Sequence, residues 1–181
     1  MALGATVYVF DIQLADADRG VYEALSLRVA RHPSETEDFL LTRVLAYCLE
    51  FTPGIAFSAG GLSAPDEPAI CVRDPTGALL AAIHVGLPEA ERLHKAAKSA
   101  PRVAVYAHRP PGQFVDRLRR ERIHRADEIV IAAVDPDLLS ALAARMDRRM
   151  KFDLAVAGGT LYVGLGEETL TGTVTTHRLE A

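Results

Sequence analysis

The stretch ICVRDPTGALLAAIHVGLP, residues 70–88, is the part of the sequence that decides the fold. Two apolar runs, residues 70–73 and 78–85, flank the tetrapeptide Asp74-Pro75-Thr76-Gly77, which has proline and glycine at the positions that a β-turn favours. The pattern predicts a hairpin of two buried strands. Gly86-Leu87-Pro88 then ends the second strand and begins a helix. The apolar positions of that helix recur at helical spacing: Ala90, Leu93, Ala97 and Ala100.

Further strands and helices alternate downstream of this hairpin. Apolar runs predict strands at residues 103–107 and 129–134, and amphipathic patterns predict helices at residues 114–121 and 138–146. Residues 152–176 alternate in polarity around two glycine-containing turns. This tail predicts a β-meander.

The segment upstream of the hairpin predicts two more strands and a helix. Residues 5–14 and 20–30 predict a hairpin with its turn at residues 16–20. Ser34-Glu35-Thr36-Glu37 matches a capping box, with Ser34 as the N-cap and Glu37 reaching back to it. The order of elements predicts an α/β (α+β) protein with a mixed β-sheet flanked by helices, and a single domain over residues 1–181.

Composition limits the class of protein. The chain has 181 residues, of which 49% are hydrophobic and 24% charged, which is typical of a globular domain. No apolar run approaches the roughly 18 residues of a membrane span, and the first residues lack the layout of a secretory signal, so we expect a cytoplasmic protein with no membrane association. The net charge of −4 argues against a dedicated nucleic-acid coat but allows a local basic groove. Cys48 and Cys71 are expected to be free and to pack as small hydrophobes.

Acidic and basic side chains cluster around the ends of the 70–85 hairpin. In a tight hairpin the start of the first strand lies beside the end of the second, so Asp66 and Glu67 are expected near His84, with Lys95 on the next helix. Carboxylates bind divalent metal ions such as Mg²⁺ or Mn²⁺, and a lysine can stabilise the charge of a phosphodiester under attack. The candidate catalytic residues are therefore Glu67, His84 and Lys95. The candidate metal ligands are Asp66, Glu67 and His84.

Other charged residues are candidates for binding. They lie at the start of the first helix and on the helix after the hairpin: Arg31, Glu35, Arg92, His94 and Lys98. Each also has a structural interpretation that requires no ligand. Glu35 suits the positive end of a helix dipole, and Glu91 and Lys95 form an ordinary i,i+4 pair on a solvated face.

Two stretches of the sequence are rich in arginine and lysine. Residues 117–122 and 145–151 could lie along a nucleic-acid backbone or simply form solvated faces. A zinc site made of His84, His94 and His108 has no recognised ligand spacing. The sequence contains no Walker-type loop, GxGxxG or Gly-x-Ser-x-Gly motif, so we expect no nucleotide cofactor and no serine esterase chemistry.

Four phrases of the sequence carry a resemblance to a known family. They are the residue ranges 30–36 (ARHPSET), 66–69 (DEPA), 86–88 (GLP) and 92–98 (RLHKAAK). In these motifs and along the whole chain, the sequence is similar to the bacterial YaeQ family. That family resembles a variant of the PD-(D/E)XK nuclease fold. The resemblance implies a restriction-endonuclease-like core with added N- and C-terminal antiparallel strands.

The resemblance also assigns positions to the nuclease motif. The proline–acid pair would fall on Pro68 and Ala69, and the acid-x-lysine triplet would fall on residues 84–86, His84-Val85-Gly86. Glu67 could replace the missing acid of Ala69, and Lys95 could replace the missing lysine. The first helix can contribute a further acid, which here would be Glu35. A histidine suits Mn²⁺ better than Mg²⁺, so the resemblance implies a degraded metal site.

Two classes of function follow from these assignments. The first is a nuclease-like protein with a degraded metal site, weakly active or inactive as a Mg²⁺- or Mn²⁺-dependent phosphodiesterase. The alternative is a non-catalytic module that binds nucleic acid or a protein partner in the former active-site groove.

Overall fold

The computed structural model describes residues 4–59 and 67–179. Ten strands lie within these residues: β1 (Thr6–Asp16), β2 (Val21–Arg31), β3 (Ile55–Phe57), β4 (Ile70–Arg73), β5 (Leu79–Val85), β6 (Arg102–Ala107), β7 (Val130–Val134), β8 (Arg149–Ala157), β9 (Thr160–Leu165) and β10 (Glu168–Arg178). The helices of the same residues are α1 (Glu37–Leu49), α2 (Ala90–Ser99), α3 (Gly112–Leu118) and α4 (Pro136–Ala143). The strands form one mixed sheet in the order β2-β1-β8-β9-β10-β7-β6-β5-β4-β3. The predicted fold class is confirmed.

The hairpin at the centre of the sequence forms as predicted. β4 and β5 pair antiparallel, with Ile70 opposite Ile83 and a register shift at Val72 and Arg73. The Asp74 carboxylate closes the turn by accepting hydrogen bonds from two backbone N–H groups that follow it. β6 then runs parallel to β5, and β7 runs parallel to β6. Helix α2 connects β5 to β6, and α3 lies in the connection from β6 to β7. Helical crossovers are the usual way to join parallel strands.

The two ends of the chain meet in the other half of the sheet. β1 and β2 form the predicted hairpin, and β8, β9 and β10 form the predicted meander. The sequence pattern does not reveal that β1 pairs with β8, or that this pair is parallel. A pairing between such distant segments depends on tertiary packing, which local periodicity cannot encode.

Strand β10 joins the two halves of the sheet. Its first part, residues 168–173, pairs with β9, and its second part, residues 174–178, pairs with β7. At Gly172 a Cβ atom would lie 2.7 Å from the Cβ of Leu138, so α4 rests directly on the backbone of this strand. The two halves are therefore connected through both the strand and the helix above it.

The helices cover the sheet unevenly. α1 and α4 pack on one face, over a core that includes Phe10, Leu41 and Leu154. α2 and α3 pack on the other face, over Val105 and Ile131. On that second face, β1, β2, β8 and β9 have alternating exposed residues and no helix over them within the described residues.

The start of α1 differs from the prediction. The N-cap is Thr36, whose hydroxyl accepts a hydrogen bond from the Phe39 N–H at 3.1 Å. The prediction of Ser34 as N-cap is wrong, because Ser34 lies in a turn closed by Glu35 N–H and the His32 carbonyl and its hydroxyl bonds the His32 ring.

Other boundaries shift by a few residues. α3 and α4 begin and end earlier than residues 114–121 and 138–146, and the three-residue strand β3 was not predicted. Asp135 caps α4 by accepting a hydrogen bond from the Asp137 N–H, and Pro136 occupies the first turn. Across the described part of the chain, none of the helices combines the length and apolarity that crossing a membrane requires.

Candidate functional site

The predicted site lies at the open end of the β4–β5 hairpin, where β4 begins and β5 ends, beside α2. Because Ile70 pairs with Ile83, positions 69 and 84 are the next opposing pair. Glu67 precedes them, is exposed, and accepts a hydrogen bond from the Ser58 hydroxyl. Asp66, a predicted metal ligand, lies outside the described residues.

His84 is buried rather than presented to solvent. It is 3% exposed and shares its face of the sheet with Val105, which packs under α2. Burial, and secondarily the positive charge of Arg92, lowers the pKa of His84 to about 4. The ring is therefore neutral at pH 7, and its Nε2 atom has no hydrogen-bond partner within residues 4–59 and 67–179.

Arg92 supplies a fixed positive charge at this place. Its Nη2 donates a hydrogen bond to the Glu67 carbonyl oxygen at 3.1 Å, which ties α2 to the strand end. The side chain is half-buried, and its Nε atom is buried without a partner among the described residues. A guanidinium thus lies where the sequence predicts a metal cation.

The lysines of α2 lie on its solvated side. The Lys95 Nζ lies 3.2 Å from a carboxylate oxygen of Glu91, and both side chains are largely exposed. Lys98 is also exposed. Lys95 therefore takes the i,i+4 arrangement that the sequence offered as its structural alternative, and the residue that approaches His84 from α2 is Arg92.

His94 joins α2 to the segment that follows α3. Its Nδ1 accepts a hydrogen bond from the backbone N–H of His124 at 3.0 Å, so its neutral form carries the proton on Nε2. The two imidazole rings meet edge to face with 6.4 Å between their centroids. His94 thus has a structural role, independent of any ligand.

Glu35 and Arg31 are engaged within the protein. Glu35 forms a buried ion pair with Arg43, with 3.2 Å between Oε2 and Nη2, and the same Arg43 Nη2 donates to the Ala30 carbonyl. Burial lowers the pKa of Arg43. Arg31 donates to the Glu35 carbonyl and to the Tyr8 hydroxyl. The acid that the first helix region could offer to a metal is therefore paired with an arginine.

Gly86 explains why no lysine takes the third position of the motif. Its φ of +101° lies in the region that favours glycine, and an added Cβ would lie 3.1 Å from the Phe39 ring. The His108 ring lies on the same side. Burial lowers the pKa of His108, whose Nδ1 is buried without a partner in the described chain. The contacts of Phe39 and His108 with Gly86 were not predicted, because they depend on how α1 crosses β5 and β6.

The donor set does not fit a hard divalent cation. Of the predicted ligands, the structure describes Glu67 and His84, and a guanidinium accompanies them. Within the described ranges, no group of three or more His, Cys, Asp or Glu residues is placed to hold a metal ion. Mg²⁺ and Mn²⁺ favour several oxygen ligands and negative charge, and the described residues of this site offer one exposed carboxylate beside a fixed positive charge.

Positive charge is concentrated in one part of the chain. Residues 89–125 hold ten Lys or Arg and four Asp or Glu, a net charge of +6 in a protein whose total is −4. This segment comprises α2, β6, α3 and the turn after it. Arg120 and Arg122 are exposed, whereas Arg117 and Arg119 approach Glu89 and Asp116. Arg102 and Arg125 pair with Glu50 and Glu128 outside the segment, so the basic surface of these helices consists mainly of exposed residues such as Lys98, Arg120 and Arg122.

The second basic stretch is partly neutralised. Arg145 forms a two-point ion pair with Glu168 on β10. Arg148 and Lys151 are exposed. The first basic stretch lies nearer the predicted site, because its Arg117 approaches Glu89 at the start of α2.

Comparisons with known proteins identify relatives along nearly the whole chain. A family model described as "YaeQ protein" matches residues 1–174. The "Uncharacterized protein YaeQ" of Escherichia coli K12 is 29% identical over 164 residues, and that of Salmonella typhi is 30% identical over 164 residues. Each alignment covers 90% of both chains.

Two crystal structures are similar to this fold. The YaeQ protein from Pseudomonas syringae superposes with a TM-score of 0.84 at 32% identity, covering 95% of each chain. The YaeQ protein from Xanthomonas axonopodis pv. citri gives a TM-score of 0.80 at 29% identity, covering 96% of this chain and 98% of that one. The sequence motifs, the family match and the shared fold agree, and the chain belongs to the YaeQ family.

Proposed function

We propose that this protein is a non-catalytic nucleic-acid-binding module that retains the groove of a nuclease-like site without its metal. The observation that carries the proposal is the position of Arg92, whose guanidinium donates a hydrogen bond to the Glu67 carbonyl and whose charge acts on the buried His84. A fixed cation at this place favours an anion such as a phosphate and disfavours a metal ion.

The position of the groove supports a nuclease-like origin. The residues that the family resemblance assigns to the nuclease motif, Ala69 and His84, are opposing positions at one end of the β4–β5 hairpin. Each has lost its acid. Glu35, the acid that the resemblance assigns to the first helix, is paired with Arg43. Among the described candidate acids, Glu67 alone keeps an exposed carboxylate, and this supports a site that has lost most of its metal ligands.

The charge of the surrounding helices favours nucleic acid over a protein partner. Residues 89–125 of this acidic protein carry a net charge of +6, and an excess of cations remains after Arg102 pairs with Glu50 and Arg125 with Glu128 outside the segment. Such an excess attracts a phosphate backbone. Lys98 and Arg120 are exposed on this surface. Contacts of this type bind phosphates and release counterions, so their affinity falls steeply with salt.

Fluorescence anisotropy of a labelled DNA duplex tests the proposal with matched charge reversals. Lys98→Glu and Arg120→Glu lie on the basic surface, and Arg73→Glu, which changes an exposed arginine at the turn end of β4, is the control. We expect each of the first two to weaken binding several-fold and to reduce the slope of affinity against salt by about one. Arg73→Glu is expected to have a much smaller effect.

Each other outcome has a definite meaning. Equal weakening by all three reversals would indicate a general charge effect without a defined surface. Absence of binding at low salt would contradict the proposal. Cleavage of DNA with Mn²⁺ that disappears in Glu67→Ala, together with Mn²⁺ binding heat in calorimetry, would overturn the non-catalytic assignment and favour the degraded-nuclease alternative.

A further inference from the structure

Two exposed tyrosines lie in one row across the uncovered half of the sheet. The registers place Tyr22 opposite Ala15, Ala15 opposite Ala155, and Ala155 opposite Tyr162. Directly paired residues have their side chains on the same face, so these four side chains share one surface. Tyr22 is 66% and Tyr162 is 42% exposed. Three strand spacings separate them, which is about 14 Å.

We call this surface, formed by the outward side chains of β1, β2, β8 and β9, the open face. Its floor between the tyrosines is made of Ala15 and Ala155, and Ala24 lies beside Tyr22 on β2. A shallow groove of about 560 Å³ follows this floor and reaches Gln13 and Asp153. The alanines keep the floor low, so both rings remain accessible to a flat ligand.

Three basic residues lie on the open face beyond the groove. Lys151 pairs with Asp11, and Arg28 and Arg149 both pair with Val9 further along the strands. The charged residues that line the groove itself are Glu23 and Asp153. The cations therefore lie at one end of the face, and the groove beside Tyr22 is mildly acidic.

The open face lies on the same side of the sheet as the basic helices. Tyr162 pairs with Thr171, which shares its face of β10 with Thr175. Thr175 pairs with Ala133, two residues after Ile131, which packs under α3. The tyrosines, the threonine row of β10 and helix α3 therefore lie on the same face of the sheet.

From this juxtaposition we infer that the open face binds an unpaired nucleic-acid strand, whose bases stack on Tyr22 and Tyr162 while Arg28, Arg149 and Lys151 contact its phosphates. The inference rests on the proposed function and specifies the form of nucleic acid that the protein binds. Exposed aromatic rings on a sheet stack unpaired bases, whereas the bases of a duplex are stacked on one another and unavailable. The Asp11 and Asp153 carboxylates limit how many phosphates the face can hold and leave stacking as its main source of affinity.

The double variant Tyr22→Ser/Tyr162→Ser tests the inference by comparing a single-stranded oligonucleotide with the duplex of the same sequence. We expect affinity for the single strand to fall by at least about tenfold, because each of the two stacked bases contributes about fivefold or more. Duplex affinity is expected to remain unchanged. Leu80→Ser removes another side chain with 42% exposure, located on β5 outside the open face, and is the matched control.

Intrinsic fluorescence gives a second readout that does not depend on affinity. The chain has five tyrosines and no tryptophan, so stacking on Tyr22 or Tyr162 is expected to quench a measurable share of the tyrosine emission. Tyr22→Phe/Tyr162→Phe should keep the affinity for a single strand, since phenylalanine also stacks, and should lose that quenching.

The outcomes separate this inference from the proposed function. If the duplex binds, and the Tyr22→Ser/Tyr162→Ser variant binds the single strand as tightly as the wild type does, the open face has no stacking role and the proposed function stands. If neither form of nucleic acid binds, both fail. If the wild-type protein is a dimer in sedimentation and the Tyr→Ser variant is a monomer, the face is an interface between two copies and the inference is wrong.

Discussion

A single arginine changes the chemistry expected of the residues around the β4–β5 hairpin end. The hairpin brings Glu67 and His84 to the same end of the sheet, as expected from the sequence, but Arg92 from α2 comes with them. Its guanidinium interacts with the Glu67 carbonyl and lowers the tendency of His84 to take up a proton. The place at which the sequence predicts a metal ion thus already holds the positive charge of the Arg92 guanidinium.

The buried His84 makes the stability of the protein depend on pH. Burial lowers the pKa of His84 from 6.5 to about 4, so protonation in this range favours the unfolded chain. The contribution of neutral His84 to stability is complete above about pH 6.5 and is lost as pH falls toward 4. His84→Leu is expected to reduce this loss by an amount on the order of 1–3 kcal/mol. Urea unfolding at pH 7 and at pH 4.5 measures it.

The stability of His84→Leu at pH 7 and a control substitution at another histidine separate the effect of His84 from a general effect of pH. At pH 7 the His84→Leu protein should be at least as stable as the wild type, because Nε2 of His84 is buried without a partner among the described residues. His124→Asn, a change at an exposed histidine, should follow the wild-type pH dependence. A pH dependence identical in His84→Leu and wild type would contradict the burial of a neutral ring.

Helix α1 illustrates how a correct local signal can be assigned to the wrong residue. Both Ser34 and Thr36 are good N-cap residues in the same short segment. Pro33 and Ser34 are used in a turn in which the Glu35 N–H bonds the His32 carbonyl, and this leaves Thr36 to cap the helix. The choice depends on Glu35, which must turn inward to pair with Arg43.

Substitution of the two residues distinguishes these roles. Thr36→Ala removes the hydroxyl that accepts from the Phe39 N–H and is expected to destabilise the protein by about 1 kcal/mol. Ser34→Ala should change stability by a few tenths of a kcal/mol or less, because its hydroxyl bonds the exposed His32 ring. Chemical denaturation gives both values. A larger loss for Ser34→Ala than for Thr36→Ala would restore the predicted capping box.

At the scale of the molecule, β10 decides whether the two halves of the sheet behave as one unit. Its residues pair with β9 over one part and with β7 over the other, and α4 lies against it at Gly172. The space above Gly172 is filled by Leu138 and Asp135. A side chain there cannot be accommodated unless α4 moves.

Gly172→Ala is therefore expected to destabilise the whole protein by about 1–3 kcal/mol through overpacking. Gly164→Ala is the matched control, since its Cβ would meet Asp153 at an ordinary contact distance of 3.6 Å. Unfolding followed by circular dichroism and by hydrogen exchange should show loss of stability in both halves for Gly172→Ala and little change for Gly164→Ala. Destabilisation confined to the β7 side would mean that the halves fold separately.

The local elements of this fold follow from the sequence. Turn residues such as Asp74-Pro75-Thr76-Gly77 and the periodicity of the apolar runs act between near neighbours, and they predict both hairpins, the meander and most helices within a few residues. That Glu67 and His84 lie at the same end of the hairpin is predicted for the same reason, since hairpin geometry relates residues that are close in the chain.

The tertiary structure alone decides the long-range pairings and the charge of the site. The parallel contact of β1 with β8 and the alignment of Tyr22 with Tyr162 join segments more than a hundred residues apart, and β10 pairs with β7 across about forty residues. Such pairings have no local signature. Arg92 and Lys95 are equivalent in a sequence, as cations on one helix. Their roles differ because the packing of Leu93 against the sheet turns Arg92 toward the hairpin end and leaves Lys95 in solvent.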